Sequence, residues 1–345
     1  MNILKVPIWL INYLNINKNQ YVPIEELEKE QLRRLKIIVR HAYNKVPYYR
    51  KLFDSVKITP DDIKTLKDIE KIPITDKHSI RTAYPDGIIA KGYTPKDYIY
   101  DHTSGSSGDP LVFVVDKKAS QMESYMSIRV YHYGGVRSSD RFAYITPEVR
   151  DAYKYIKLNG LTKLKNLVSN MPLNRFLISP WLDTLEQVRL LEDYQPDVIV
   201  GFASSLKVVA KKAKEIGAHI NPRVCFSIAE FLPKDHREFI ENVFNTKVYK
   251  IYGSREFGEL GCECSEFLGY HLNIDSHIVE IVRDRKQIDN NEFGEIIVTS
   301  LYNFAMPFIR YRIGDIGRLS EDVCPCGRTL PLLKEIIGRT SDMIT

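Results

Sequence analysis

From residue 141 to 252 the chain alternates short apolar runs with amphipathic ones, and this alternation narrows the fold more than any other feature of the 345 residues. Arg141-Phe142-Ala143-Tyr144-Ile145 reads as a strand, residues 182–194 as a helix, 196–202 as a buried strand ending in glycine and phenylalanine, and 204–216 as a helix. A strand over 223–228, a helix over 234–244 and a strand over 247–252 continue the series. Strands that alternate with helices in this way predict a parallel α/β sheet with crossover helices. Ligands of such sheets sit beyond the carboxyl ends of the strands. The polar segments found there are Phe202-Ala203-Ser204, Ala229-Glu230 and Gly253-Ser254-Arg255-Glu256.

Upstream lies Asp101-His102-Thr103-Ser104-Gly105-Ser106-Ser107-Gly108-Asp109-Pro110, flanked by strand-like runs over 97–100 and 111–115. Two strands joined by so many glycines and hydroxyls predict a hairpin whose tip is mostly backbone. Gly105 and Gly108 permit positive φ and close approach of a ligand. Successive bare N–H groups form an anion-binding concavity, to which Thr103, Ser104, Ser106 and Ser107 add neutral donors. A polar hairpin loop without a ligand has the same composition. The loop is not a Walker loop, because the Gly-Lys-Ser/Thr ending is missing.

The first hundred residues read as mostly helical. Leu27, Gln31, Leu32, Leu35, Ile38, Val39 and Ala42 recur at helical spacing within 25–55, with a break at Val46-Pro47. Thr59 ahead of Pro60 marks a helix start, and Thr75 is expected to cap a short helix within 72–84. Beyond 270 the pattern turns to short strands (277–282, 294–299, 308–311), a small β-rich subdomain.

A composition of 44% hydrophobic and 27% charged residues is that of a globular protein. The net charge of +5 comes without any Lys/Arg block, so no nucleic-acid partner is expected. Residues 1–16 are apolar, yet Pro7 and Asn12 leave them too short and broken to span a bilayer, and no cleavage site follows. Packing against the body is expected there, with peripheral membrane contact the lesser alternative. The protein is expected to be cytoplasmic, without a transmembrane segment. Four of the five cysteines form two Cys-x-Cys pairs, Cys262/Cys264 and Cys324/Cys326, which points toward a metal site and away from scattered disulfides. With His271, the thiols of Cys264, Cys324 and Cys326 make a four-ligand set of the kind zinc takes tetrahedrally, with Cys262 as a spare; reduced free thiols are the alternative.

Taken together, the loops resemble those of the acyl-adenylate-forming superfamily, the AMP-producing CoA ligases. The hairpin loop is similar to that family's Thr-Ser-Gly-Ser/Thr-Thr-Gly-x-Pro segment. Tyr252-Gly253-Ser254-Arg255-Glu256 is similar to Tyr-Gly-x-Thr-Glu, Tyr311-Arg312-Ile313-Gly314-Asp315 to Tyr-Arg-x-Gly-Asp, and Gly338-Arg339-Thr340-Ser341-Asp342-Met343-Ile344 to Gly-Arg-x-x-Asp-x-Ile. Within the superfamily, Val46-Pro47-Tyr48-Tyr49-Arg50, Lys71-Ile72-Pro73-Ile74 and Cys324-Pro325-Cys326-Gly327-Arg328 resemble the phenylacetate–CoA ligase-like branch, many of whose members are associated with capsular polysaccharide synthesis.

This resemblance implies ATP-dependent activation of a small carboxylic acid as an acyl-adenylate, then thioester formation with CoA. It assigns the 103–108 loop to the departing phosphates and Glu256 to Mg²⁺. Tyr252, with Gly253, Ser254, Ala229 and Glu230, is assigned to the AMP moiety, Asp315 to the ribose hydroxyls, and Arg339 to the ribose or phosphate. Arg255 stands where the family usually has Thr or Ser, and Asp109 where it often has Lys. Phe202, Ala203 and Ser204 are expected to line the acyl pocket, and related ligases carry a cluster like that of Cys264, His271, Cys324 and Cys326. The implied fold is the large N-terminal domain of the adenylate-forming enzymes. It divides into a helical part (1–95), an α/β core binding nucleotide and acyl group (96–265), a β-rich subdomain with the zinc site (266–338) and a hinge stub (339–345). The family's mobile C-terminal domain does not follow, so nucleotide and acid binding with slowed chemistry is expected. Assembly as a homodimer is compatible with this reading. Transfer of the acyl group to a sugar or amine, AMP transfer to a deazaflavin, and a non-catalytic nucleotide-binding protein are the alternatives.

Overall fold

The computed structural model describes residues 8–103, 110–137, 139–147, 153–157 and 174–339. In chain order the helices and strands begin with α1 (Ile8–Lys18), α2 (Ile24–Lys45), α3 (Pro47–Ser55), α4 (Lys77–Ala83), β1 (Tyr98–His102), β2 (Val112–Asp116) and α5 (Lys117–Tyr133). Next come β3 (Arg141–Ile145), β4 (Tyr153–Lys157), β5 (Asn174–Ile178), α6 (Thr184–Tyr194), β6 (Val198–Phe202), α7 (Ala203–Ile216), β7 (Val224–Ile228), α8 (Lys234–Phe244) and β8 (Lys247–Ser254). The remainder is all strand: β9 (Gly258–Glu263), β10 (Tyr270–Leu272), β11 (His277–Arg283), β12 (Lys286–Gln287), β13 (Gly294–Ser300), β14 (Tyr311–Leu319) and β15 (Leu332–Arg339). Among the described residues no helix is long and apolar enough to cross a membrane.

The chain divides into two compact units, one of Met1–Asn15, Ile128–Gly253 and Cys262–Tyr270, the other of Ile16–Ser127, Ser254–Gly261 and His271–Thr345. In the first unit β8, β7, β6 and β3 pair in parallel in that order, as the strand–helix alternation predicts, and β5, a strand that the pattern did not mark, pairs parallel with β3 beyond them. β4 pairs antiparallel with β5 at the edge, an addition that the sequence pattern did not reveal. One face of the sheet carries Ala143, Ile145, Ile199, Cys225 and Val248, packed with Val188, Leu206 and Ile240 from α6, α7 and α8. Residues alternating with these, Phe142, Val198, Val200, Val224 and Phe226, build a second cluster with Val130, Tyr133 and Cys262. Strands covered on both faces read as continuous apolar runs, which is why their period-2 signal is weak in the sequence. Near the start of the chain, Tyr13 is buried, its hydroxyl 2.8 Å from His132 Nδ1.

In the second unit β12, β11, β13, β14 and β15 form an antiparallel series. α2 buries Leu27, Gln31, Leu35, Ile38, Val39 and Ala42, and the Gln31 amide donates to the carbonyls of Ile274 (2.9 Å) and His277 (2.8 Å). The helical pattern of 25–55 is two helices, because the residue before a proline is forced out of the helical region. Val46 accordingly sits at φ −111°, ψ 108°, and Pro47 opens α3 at its first turn. Thr59 closes a capping box with Asp62 over a single 3₁₀ turn, Pro60–Asp62. The second expected cap moves by one residue: Asp76, not Thr75, caps α4, accepting from Ser79 N at 2.8 Å. Thr75 is withdrawn into tertiary contact, its hydroxyl donating to Ile309 O (3.0 Å) and its N–H to Arg310 O (2.9 Å).

Arg310 is the centre of that contact. Its side chain and that of Glu280 are each only 2% exposed, with Arg310 Nη2 2.9 Å from Glu280 Oε1. Arg310 Nε donates to Glu280 Oε2 at 3.1 Å, and Nη1 donates to the carbonyls of Glu70 (3.0 Å) and Ile72 (2.8 Å). Removing one partner of a buried pair leaves an uncompensated charge, at a cost of about 3–5 kcal/mol. Glu280→Ala is therefore expected to lower the unfolding free energy by about that amount in urea titrations. Glu280→Met with Arg310→Met should cost less than the single change, and equal or greater loss in the double variant would contradict the pairing.

Candidate functional site

In the first unit the carboxyl ends of the parallel strands β6, β7 and β8 bring Phe202–Ser204, Ala229–Glu230 and Tyr252–Gly253 to one edge of the sheet. β6 runs directly into α7, and Phe202 offers no side-chain cap to the helix's first N–H groups. Glu230 supplies one from the next strand. Ser204 N donates to Glu230 Oε2 at 2.8 Å, and Ser204 Oγ donates to Oε1 at 3.0 Å. A carboxylate at a helix N-terminus satisfies an orphan donor and meets the positive end of the helix dipole. Between β7 and Glu230, Ala229 takes φ 60°, with Glu230 N donating to Ile228 O at 2.8 Å. A tight turn through the left-handed region costs an alanine of order 1–3 kcal/mol, and such strain collects at functional edges.

The three residues expected to line an acyl pocket differ in what they present. Phe202 is half-buried and Ser204 exposed, whereas Ala203 is buried among Ile199, Leu206 and Leu232. Ser204 also borders a hollow of about 140 Å³ with Pro180, Thr184, Gln187, Ser205 and Val208. That volume is well short of the ~300 Å³ at which ligand pockets begin. Tyr252 is 8% exposed, its ring 5.9 Å from that of Tyr270.

In the second unit the two strands expected to flank the glycine loop are present. β1 and β2 pair antiparallel from Tyr98↔Asp116 to His102↔Val112. Thr103 closes its base, donating N–H to Leu111 O (3.0 Å) and accepting Leu111 N–H on Oγ1 (2.9 Å). Ser104, Gly105, Ser106, Ser107, Gly108 and Asp109 lie outside the described residues, as do residues 340–345. Asp116, which sequence reasoning passed over, anchors the far end of β2. One oxygen accepts from Lys118 N (2.8 Å) and Ala119 N (3.0 Å), at the start of α5. The other accepts from Phe304 N (2.7 Å) and Ala305 N (3.1 Å). Its signal was an Asp directly ahead of a helical pattern, the usual capping cue.

Phe257 fixes the neighbouring acidic turn. It is 1% exposed, with ring centroids 5.5 Å from Phe308, 5.9 Å from Tyr311 and 5.7 Å from His277. Just before this buried ring, Arg255 is exposed and Glu256 half-buried. Gly258 follows at φ 64°, where an added Cβ would lie 3.3 Å from Glu123 Cγ. Tyr311 donates its hydroxyl to Glu256 Oε1 at 3.2 Å, and burial followed by the Glu256 charge pushes the phenol well above its usual range, so it remains a donor. Arg255 Nη1 stands 3.9 Å from Asp101 Oδ2. The Glu123 carboxyl is pushed up to about 8, first by burial and then by Glu259, Asp101 and Asp116, so it is mostly protonated near neutral pH. On the β14–β15 pair, Asp315 and Arg339 face each other across the ladder, Arg339 Nε 3.5 Å from Asp315 Oδ1.

Of the expected four-ligand set, His271, Cys324 and Cys326 lie in the second unit and Cys264 in the first. Cys262 packs instead into the apolar cluster with Phe226 and Tyr249. His271 Nδ1 lies 3.2 Å from Leu330 O, and Nε2 3.3 Å from Cys326 Sγ. Burial, offset only in part by the carbonyl, lowers its pKa to about 4, so the ring is neutral and its second nitrogen is aimed at the thiols. The turn that carries Cys324 and Cys326 is pinned from outside: Arg328 Nε donates to Gln20 Oε1 (2.7 Å), and Thr329 N to Gln20 O (2.9 Å).

Tyr311→Phe removes a partly buried hydrogen bond while keeping the ring that packs on Phe257. It is expected to lower the unfolding free energy by about 1 kcal/mol in a denaturant titration, and no change would mean that the bond to Glu256 contributes nothing.

No family model matches the chain. A phenylacetate–coenzyme A ligase of Aromatoleum evansii is 30% identical over 338 residues, covering 93% of this chain and 72% of the relative. A phenylacetate–coenzyme A ligase of Thermus thermophilus is 28% identical over 333 residues, covering 94% and 72%. Among solved structures, a 2-hydroxyisobutyryl-CoA ligase in an open conformation with 2-HIB-AMP and CoA superposes with a TM-score of 0.77 at 21% identity, over 95% of this chain and 78% of that one. The shared fold agrees with the α/β architecture described above, and the identity over nearly the whole chain places this protein in the phenylacetate–CoA ligase family of adenylate-forming enzymes.

Proposed function

We propose that the protein activates a carboxylic acid with ATP, releasing pyrophosphate, and passes the acyl group from the adenylate to the thiol of CoA. The observation that carries this reading is the 30% identity to a phenylacetate–coenzyme A ligase over 93% of the chain. Support also comes from the residues that the family motifs imply: Tyr252 and Gly253 stand near the carboxyl end of β8, and Asp315 faces Arg339 across the β14–β15 ladder. An arylacetic acid is the first substrate class to test, because the relatives' names specify one.

In the first step a carboxylate oxygen attacks the α-phosphorus in line with the departing pyrophosphate, so the protein's work is positioning and neutralisation of charge. Tyr252, Gly253, Ala229 and Glu230 would receive the adenine edge, and Asp315 would accept the ribose hydroxyls on its two oxygens. Arg339, beside Asp315 in the ladder, would hold its carboxylate in place and reach toward the ribose or phosphate. Arg255 would contact phosphate through its planar fork, and Thr103 with the 104–108 loop would donate to the departing phosphates. Glu256, presented by the buried Phe257 and oriented by Tyr311, is the carboxylate suited to Mg²⁺, which when bound would neutralise the phosphate oxygens. In the second step the CoA sulfur replaces AMP at the acyl carbon.

The direct test is acid-dependent exchange of pyrophosphate into ATP across a panel of carboxylates, followed by detection of a CoA thioester. Glu256→Gln is expected to reduce exchange about a hundredfold while leaving the melting temperature within a few degrees. Exchange without thioester would favour another acyl acceptor, and no exchange with any acid would reject the adenylation reading.

Cys264, His271, Cys324 and Cys326 would hold a structural zinc, whose four protein ligands leave no open position for chemistry. Metal analysis of protein purified without chelator should find close to one zinc per chain. Cys324→Ser should lose it and lower the melting temperature. Metal-free protein of unchanged stability would reject the site.

A further inference from the structure

Glu230 stands out among the exposed carboxylates because both of its oxygens are engaged by one residue of a different element. Oε2 takes the N–H of Ser204 and Oε1 takes its hydroxyl, at 2.8 and 3.0 Å. Ser204 is the second residue of α7, a helix that lacks a side-chain cap of its own. On the other side, Glu230 is covalently next to Ala229, held at φ 60° in a turn closed by Glu230 N and Ile228 O at 2.8 Å. An alanine leaves the left-handed region unless its surroundings over-determine it. The clamp on Ser204 supplies that constraint, because rotating Ala229 back to negative φ would swing the Glu230 carboxylate off the helix end.

We propose that Glu230 is a positioning residue for adenylation. Its carboxylate, chelated by Ser204 at the start of α7, locks Ala229 in its strained turn. The backbone edge that receives the nucleotide base is thereby held in fixed register with the Phe202–Ser204 segment at the end of the adjacent strand. Glu230 touches neither reacting atom; it acts through Ala229. The inference rests on the adenylation reading and deepens it, since a single contact then couples the nucleotide edge to the segment expected to meet the acid.

AMP binding measured by calorimetry tests this without knowledge of the acid. Glu230→Ala is expected to weaken AMP binding about tenfold, the usual scale for losing a hydrogen-bonded charge. Ser204→Ala, which keeps the backbone N–H, should cost about threefold, and nothing further when added to Glu230→Ala, because the two residues form one interaction. Adding Ala229→Gly to Glu230→Ala should recover part of the affinity, since glycine adopts positive φ without strain; a side chain with a merely structural role would show no such rescue. With an acid that the wild type activates, the loss should appear in KM for ATP more than in kcat. Equal AMP affinity in wild type and Glu230→Ala, or no rescue by glycine, overturns this inference alone. Failure of the wild type to bind AMP overturns the adenylation reading along with it.

Discussion

A guanidinium enclosed in protein must find a counter-charge and acceptors for its N–H groups, and Arg310 meets that demand with Glu280 and the carbonyls of Glu70 and Ile72. The consequence is architectural. Satisfying one charge ties β11, the segment at 70–75 and the start of β14 together. Because Arg310 directly precedes Tyr311, the same contact sets where the Tyr311 hydroxyl meets Glu256. The cost of leaving such a charge unpaired exceeds most single contributions to stability, so this register of β14 is strongly specified.

The candidate site residues are polar groups, exposed or half-buried, placed by buried apolar neighbours or by helix ends. Glu256 and Arg255 are placed by the buried ring of Phe257, Glu230 by the start of α7, and the end of β2 away from the 103–110 loop by the carboxylate of Asp116. A side chain fixed in this way on folding has less freedom left to lose on binding a ligand. The neutral His271 fits the same pattern: its carbonyl contact at Nδ1 leaves Nε2 facing the thiols.

Much of this was readable in the residues alone. The helix over Lys234–Phe244 and the strand over Arg141–Ile145 have the bounds that periodicity predicts, because long apolar patterns bounded by turn residues leave little choice of register. The strand pairing that flanks the glycine loop was legible for the same reason. The failures were of a different kind. Thr75 looks like a cap as good as Asp76, and only the demand of Ile309 and Arg310 for partners removes it from the helix.

What the sequence determined by itself was local: which segments are helix or strand, which turns are rich in donors, and which residue types could hold a phosphate, a cation or zinc. Only the tertiary structure decided that Glu230 caps a helix from the turn after the neighbouring strand, that Asp116 binds four N–H groups at two places, that Cys262 is a core residue and that β4 closes the sheet antiparallel. These depend on contacts between residues far apart in the chain. Hydrophobic periodicity reports which face of an element is buried, not which polar group on another element will be the one left to satisfy its ends.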